Sequence, residues 1–398
     1  MNEAERQASR PDRPRKATLR GTRVHNERLA LATIYDDGPL GRAGVARLTG
    51  LTRTTVSAVV DGLIETGLVR EMGRGPSTGG KRPILLQVPE DAWHLIGLDL
   101  GDTLFRGAIV DLRGEIVYRT EVRVEEGGGE RALLQVLQLI DHLLGAAVRP
   151  ILGIGIGAPG LIDTTVGTVI QAVTIDWRDV PLAALVSSQY GLPTCVVNDS
   201  QAAALAEHVF GQVRTANLVV IKVGRGIGAG LVLNGDLFQG DGFGAGEIGH
   251  TVVVPRGELC RCGRHGCLET VASTRAVLAR ATALGAFGRT VSLDAVVAAF
   301  IAGDEDVRRI VLEAGRWLGQ AVADLAAVLN IHRIVLAGTM ASFGEPWLTA
   351  VHDALEMKGF PTLLRDTTLE LGGIGDIVVL GASALLMTRE LGLSLRRR

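Results

Sequence analysis

Gly246-Glu-Ile-Gly-His-Thr-Val-Val-Val-Pro-Arg-Gly-Glu-Leu-Cys-Arg-Cys-Gly-Arg-His-Gly-Cys-Leu-Glu269 holds three of the chain's four cysteines, Cys260, Cys262 and Cys267, with His250 at loop distance before them. Three thiols and an imidazole are soft to borderline ligands that suit tetrahedral zinc. Four protein ligands leave no open position for water, so such a metal is structural. The Cys260-x-Cys262 spacing is tighter than the common C-x-x-C pattern, so the residues indicate a metal site without fixing its class. The bland reading is three thiols beside an unrelated histidine.

The 398 residues, 47% of them hydrophobic, suffice for two or three domains. No apolar run reaches the ~20 residues of a membrane span. The longest, near Ile151 to Ile162, is short and glycine-rich, and no signal-peptide core follows the polar start. These features predict a cytoplasmic protein with no membrane contact. Cys195 stands alone in an apolar strand-like run, which predicts a buried thiol and no disulfide framework. The net charge of −2 conceals an asymmetry: residues 1–85 carry 15 Lys/Arg against 9 Asp/Glu, and the remainder 26 against 34. Only the first part attracts a polyanion.

Residues 1–20 are basic and polar, with Arg6, Arg10, Arg13, Arg15, Lys16 and Arg20, and read as a disordered arm. From 21 to 90 the periodicity changes. Leu29, Leu31, Ala32 and Ile34 suit a helix between His25 and Tyr35 that Gly38-Pro39 ends. Arg42 to Leu48 suits a second, and Thr52 opens a third as its N-cap, with Val56, Val59, Val60, Leu63 and Ile64 as the inner stripe. Two short strands follow, Leu68 to Met72 and Ile84 to Val88, around a Gly/Pro-rich loop. The pattern predicts a winged helix-turn-helix that binds double-stranded DNA. Arg53, Thr54, Thr55 and Ser57 would face the major groove, and Arg74, Lys81 and Arg82 would let the wing grip the backbone or minor groove. A protein-docking winged helix is the alternative.

From residue 91 onward the chain reads as α/β. A strand, glycine turn and strand run from Ile96 to Asp111. A buried strand leads from Gly153 into Pro159-Gly160, and Val196-Val197-Asn198-Asp199 ends another before the helix from Ser200. Leu218 to Val223 feeds the glycine run Gly224-Arg225-Gly226-Ile227-Gly228, and Ile334 to Thr339 is a further strand and turn. Amphipathic helices are predicted at Ser273 to Leu284, Leu293 to Ala302, Glu305 to Leu329, Pro346 to Met357 and Gly381 to Leu391, with Arg396 to Arg398 a frayed end. No short-period repeat is present.

The run Gly246-Glu247-Ile248-Gly249-His250, with Cys260-x-Cys262-Gly263-x-x-Gly266-Cys267-Leu268-Glu269, resembles the signature of the ROK family of sugar kinases and sugar-responsive repressors, in its xylose-repressor-like regulator branch. The resemblance covers nearly the whole chain after the arm. It implies a two-lobed actin-like ATPase fold over 91–398, with the smaller lobe at 91–197 plus the last helix at 380–398, and the larger at 198–379. It implies a structural zinc on His250, Cys260, Cys262 and Cys267, and a sugar held by Gly160, Asn198, Asp199, Glu247, His250 and Glu269. Asp99, Gly101, Thr103, Gly224, Gly226 and Gly228 match the nucleotide-facing positions, and Asp199 the catalytic base of the kinases.

Four positions depart from the kinase pattern: Asp102 stands where relatives carry glycine or alanine, Arg225 where they carry threonine, and Ala337 and Thr339 in a turn otherwise richer in glycine. Ala58 replaces an arginine of many relatives' recognition helices, which bears on which operator is read. With the sugar side intact and the nucleotide side altered, the resemblance implies a sugar-responsive transcriptional regulator, a repressor of carbohydrate genes. It would bind a twofold operator as a homodimer or dimer of dimers, with a sugar or sugar phosphate as effector and no enzymatic activity. The alternative is an ATP-dependent, glucokinase-like sugar kinase with a fused DNA-binding domain, which would use Mg-ATP. A sugar-binding scaffold with a protein-docking winged helix is a third reading.

Overall fold

The computed structural model describes residues 19–76, 82–89, 91–124, 128–213, 215–285, 287 and 291–393. Lys81, most of the basic arm and the last three arginines lie outside them. The chain divides into two compact units, one running to Ala92 and grouped with Leu391–Leu393, the other spanning Trp93–Glu390.

In the first unit, α1 (Leu19–Asp37), β1 (Leu40–Gly41), α2 (Arg42–Thr49), α3 (Arg53–Glu65), β2 (Arg70–Arg74) and β3 (Ile84–Gln87) follow in order. Helix α1 starts at Leu19, earlier than the expected His25, so Leu19 and Arg20, read as part of the arm, are helical. Gly50 ends α2 at φ +71°, and its N–H donates to Ala46 O. That left-handed step costs glycine little and turns the chain toward α3 within three residues. Thr52 caps α3 by accepting from Thr55 N, and Val56, Val59, Val60 and Leu63 face inward as the pattern requires. Arg42 ties the elements together, donating to Asp61 of α3 and Glu71 of β2 at 2.8 Å each. The strands form a small antiparallel sheet in the order β1-β3-β2.

The second unit begins with β4 (His94–Leu100), β5 (Leu104–Asp111), β6 (Ile116–Arg123), α4 (Gly129–Ala146), β7 (Ile151–Ala158), β8 (Leu161–Asp163), β9 (Thr168–Ala172), β10 (Trp177–Val180), α5 (Leu182–Tyr190) and β11 (Thr194–Asn198). It continues with α6 (Asp199–Phe210), β12 (Leu218–Val223), β13 (Ile227–Leu233), β14 (Asp236–Phe238), α7 (Glu269–Ala272), α8 (Thr274–Ala283), α9 (Leu293–Ala302) and α10 (Glu305–Leu329). It closes with β15 (Arg333–Ala337), α11 (Gly344–Lys358), α12 (Pro361–Leu364), β16 (Thr368–Leu371) and α13 (Ile377–Leu391). After the Pro159-Gly160 turn, Leu161–Asp163 forms a short strand in the antiparallel sheet β10-β9-β8.

Two five-stranded sheets carry the unit, in the orders β11-β7-β4-β5-β6 and β14-β13-β12-β15-β16. Each is a three-stranded antiparallel meander continued by two parallel strands from the meander's first strand. The same topology occurs twice, in two lobes, each with its own core. One core centres on Ile96, Leu98, Leu139 and Ile156; the other on Ile221, Leu318, Leu336 and Trp347. The buried strands read as near-continuous apolar runs because parallel strands are covered on both faces. Helix α13 begins at Ile377, four residues before the expected start. A Cβ on Gly155 of β7 would lie 2.3 Å from Ala382 O, so the helix backbone lies directly on the first lobe's sheet. Between the lobes, the β4–β5 turn faces the β12–β13 turn.

Candidate functional site

The loop after β14 places the metal-type ligands. His250 ends a single 3-10 turn, Ile248–His250. Bridges between Val252 and Cys267 and between Leu259 and His265 fold the following segment back on itself. Cys260 N donates to Arg264 O, Gly263 N to Cys260 O, and the Arg264 guanidinium to His250 O. The ligand atoms of His250, Cys260, Cys262 and Cys267 lie within 4.8 Å of one another. Cys262 Sγ and Cys267 Sγ are 3.6 Å apart, and Cys260 Sγ is 3.5 Å from His250 Nδ1. Zinc–sulfur bonds of about 2.3 Å at tetrahedral angles need sulfurs roughly 3.8 Å apart, so the four residues fit a closed four-coordinate metal. Burial pushes the Cys267 thiol up to about 12, reinforced by hydrogen bonds with Cys262 and Cys260.

A cavity of about 770 Å³ lies between the lobes, lined by Asp99, Gly160, Asn198, Asp199, Lys222, Glu247, His250 and Glu269 among others. Every sugar-type residue named from the sequence lines it. Gly160 has φ +86°, and a Cβ there would fall 2.1 Å from Gln171 O, so only glycine fits this turn. With His250 Nδ1 in the thiol cluster, Nε2 is left 3.8 Å from Glu247 Oε2. Burial, and then the charges of Asp199 and Glu269, push the Glu247 carboxyl up to about 7.

Three of these side chains are more engaged within the protein than the sequence suggested. Asn198, not Asp199, is the N-cap of α6: its Oδ1 accepts from Ser200 N and Gln201 N while Nδ2 donates to Gly160 O at 2.9 Å. One N–H remains for a ligand, so Asn198 serves chiefly to hold the Gly160 turn. Glu269 is buried, with Oε1 accepting from Arg275 at 2.9 Å and Oε2 from Ile227 N at 3.2 Å. Asp199 Oδ2 accepts from Lys222 Nζ at 2.7 Å.

Lys222 escaped the sequence reading; its signal is a lone cation inside the apolar strand Leu218–Val223. Burial opposes its charge, but Asp199 and Asp99 outweigh that and hold its pKa above the usual lysine value. Burial also raises the Asp99 carboxyl, whose Oδ1 has no hydrogen-bond partner. Lys222 thus sits between two carboxylates, and Lys222→Met would leave Asp199 uncompensated beside Asp99. Unfolding free energy is expected to fall by about 3 kcal/mol in a urea titration, and Lys222→Met with Asp199→Asn to recover most of it. An unchanged midpoint for Lys222→Met would contradict this.

On the nucleotide-type side, Gly101 and Thr103 lie in the β4–β5 turn and Gly224 and Gly226 in the β12–β13 turn, all lining the cavity. Gly228 has another reason to be glycine: a Cβ there would meet Ser200 Oγ at 2.5 Å, where β13 runs against the start of α6. Thr339 Oγ1 is 2.8 Å from Thr274 Oγ1. Asp102 and Arg225, two of the four departures from the kinase pattern, meet each other: Arg225 Nε donates to Asp102 Oδ2 at 2.5 Å.

In the first unit, Arg53 and Thr54 are exposed at the start of α3, and Ser57 is half-buried. Thr55 is partly committed to the cap, its Oγ1 lying 2.8 Å from Thr52 Oγ1. Arg74 at the end of β2 and Arg82 before β3 are exposed.

The sequence profile of the ROK family matches residues 95–366. The chain belongs to the ROK family. Among its relatives, a xylose repressor of Caldicellulosiruptor bescii is 33% identical over 380 residues, covering 91% of this chain and 95% of that one. The crystal structure of a ROK family transcriptional regulator, a homologue of the E. coli MLC protein, superposes with a TM-score of 0.80 at 27% identity, covering 94% of this chain and 98% of that chain. A ROK glucokinase from Streptomyces griseus, in complex with glucose and AMPPNP, gives a TM-score of 0.68 at 29% identity, covering 73% of this chain and 98% of that chain. The lobed ROK unit is therefore common to regulators and kinases. The family profile begins at residue 95, after the first unit, which runs to Ala92. No helix among the described residues is long and apolar enough to cross a membrane.

Proposed function

We propose that this ROK protein is a sugar-responsive transcriptional repressor of carbohydrate genes. The observation that carries the reading is the state of Asp199. Its Oδ2 is held by Lys222 Nζ at 2.7 Å, an ion pair that keeps the carboxylate in place as an acceptor for a sugar hydroxyl. The rest of the sugar side, with Gly160, Glu247, His250 Nε2 and Glu269, surrounds the same cavity. A zinc on His250, Cys260, Cys262 and Cys267 would fix the imidazole that faces the ligand. The first unit reads as a winged helix-turn-helix over about residues 21–90, with α3 as recognition helix. Arg53, Thr54 and Ser57 would be placed for base edges and phosphates, and Arg74 and Arg82 for the wing's backbone contacts. A twofold DNA operator, a homodimer or dimer of dimers, and a cytoplasmic location belong to this reading. The similarity to a xylose repressor supports a sugar as effector.

Regulation needs only that the sugar bind the state without DNA better, and a difference of about 1.4 kcal/mol changes the operator equilibrium tenfold. Footprinting of purified, zinc-loaded protein on the DNA upstream of its own gene is expected to give a protected site with twofold symmetry. Uniform binding without sequence preference would end the proposal.

The second reading, an ATP-dependent sugar kinase with a fused DNA-binding unit, is favoured by the retained Asp99, Thr103 and Asp199 and by the similarity to the S. griseus glucokinase. With Mg-ATP and a panel of hexoses, pentoses and amino sugars, no ADP release above the sugar-free control is expected. Sugar-dependent turnover abolished by Asp199→Asn would establish the enzyme instead.

A further inference from the structure

The β4–β5 turn belongs to the first lobe and the β12–β13 turn to the second. In the kinase-like reading of the cleft these turns would flank a polyphosphate, and the role inferred for Asp102 rests on that reading. In this chain the two turns are joined by side chains. Asp102, its side chain 16% exposed, reaches across to Arg225 Nε at 2.5 Å, and Arg261 Nη1 lies 3.7 Å from the same carboxylate oxygen. Arg261 stands between Cys260 and Cys262, so the second cation comes from the metal loop. One lobe thus contributes a carboxylate, and the other two guanidiniums that converge on it.

Two guanidiniums converging on one oxygen make a site for an anion, since guanidinium is the side chain best matched to carboxylate and phosphate oxygens. Here the anion is part of the chain. A polyphosphate entering from solvent would meet Asp102 in place and Asp99 behind it, and could gain Arg225 only by displacing its partner. Lys222, deeper in the cleft, is likewise held by Asp199. We infer that Asp102 is a built-in substitute for polyphosphate: it fills the cationic side of that subsite, bars a nucleotide, and links the lobes without one. The glycine or alanine usual at this position would leave Arg225 and Arg261 free, so one residue decides whether the cleft takes sugar alone or sugar with a polyphosphate.

The test is calorimetric titration of full-length, zinc-loaded protein with tripolyphosphate and with AMPPNP, neither requiring knowledge of the sugar. Wild type is expected to show no binding at millimolar ligand. Asp102→Gly is expected to bind both, with affinity at least about tenfold above any wild-type value, and Asp102→Gly/Arg225→Ala to lose that gain. The swapped pair Asp102→Arg/Arg225→Asp, which keeps opposite charges across the cleft, is expected to stay silent. Asp102→Asn serves as the milder variant, and zinc content and circular dichroism show that each variant is folded. Wild-type binding equal to that of the variants, no gain in folded Asp102→Gly and Asp102→Asn, or a gain that survives Arg225→Ala would each overturn the inference. Operator and sugar binding are measured separately: their absence would sink the repressor reading and leave the polyphosphate result standing.

Discussion

Cys262→Ser is expected to lose bound zinc and sugar affinity together. The loop of the His-Cys cluster is framed by two isolated bridges, short-range backbone hydrogen bonds and the Arg264 guanidinium on His250 O, with no helix or strand of its own around the cysteines; Cys262 is the exposed member of the four, so its loss opens the cluster from outside. Metal binding and local folding are one free energy in such a loop. Without the metal, His250 is no longer fixed with Nε2 toward Glu247. Zinc by atomic absorption should fall from about one per chain to a small fraction of that. Sugar affinity should fall roughly 10- to 100-fold, the cost typical of losing the support of a ligand-holding group. Chelation of the wild-type protein should reproduce both losses, and zinc should restore them. A metal-free variant with unchanged sugar affinity would separate the loop from the cleft and contradict the role given to His250.

The second large effect is expected at the start of α3. Arg53→Ala combined with Thr54→Ala should reduce operator affinity by roughly 100-fold or more, because each good base contact contributes about 1–3 kcal/mol of discrimination. Affinity for random DNA should fall much less. Arg74→Ala and Arg82→Ala should act differently, weakening binding to all sequences and lowering the slope of log K against log salt by about one each. Anisotropy titrations across a salt series distinguish the two patterns. Equal losses on operator and random DNA for the Arg53/Thr54 variant would show that α3 does not read bases.

What the sequence revealed and what it hid differ in range along the chain. The His-Cys cluster was legible because its four members fall within one loop and ligand chemistry is a property of residue type. The cap at Thr52 and the apolar stripe of α3 were legible because helix signals are local. The contacts that give the cleft its character are not local. Lys222 pairs with a residue 23 positions away and Arg225 with one 123 positions away. Asp102 and Arg225 stood out singly as departures, and only the fold makes them partners. The repetition of one sheet topology in two lobes left no sequence period, since topology constrains burial and strand order without repeating residues. Asn198, expected as a sugar contact, spends its Oδ1 capping α6, and Asp199 faces Lys222, a partner the local sequence does not indicate.

The central claim is that the ligand held at Asp199 governs DNA binding. The direct test is the operator Kd of full-length, zinc-loaded protein, measured with and without a sugar shown to bind it, for wild type and for Asp199→Ala. Wild type is predicted to change its operator Kd at least about tenfold with sugar. Asp199→Ala is predicted to keep the sugar-free Kd and lose the change. An operator Kd that does not move when the sugar is bound, or that moves equally in Asp199→Ala, would contradict the account.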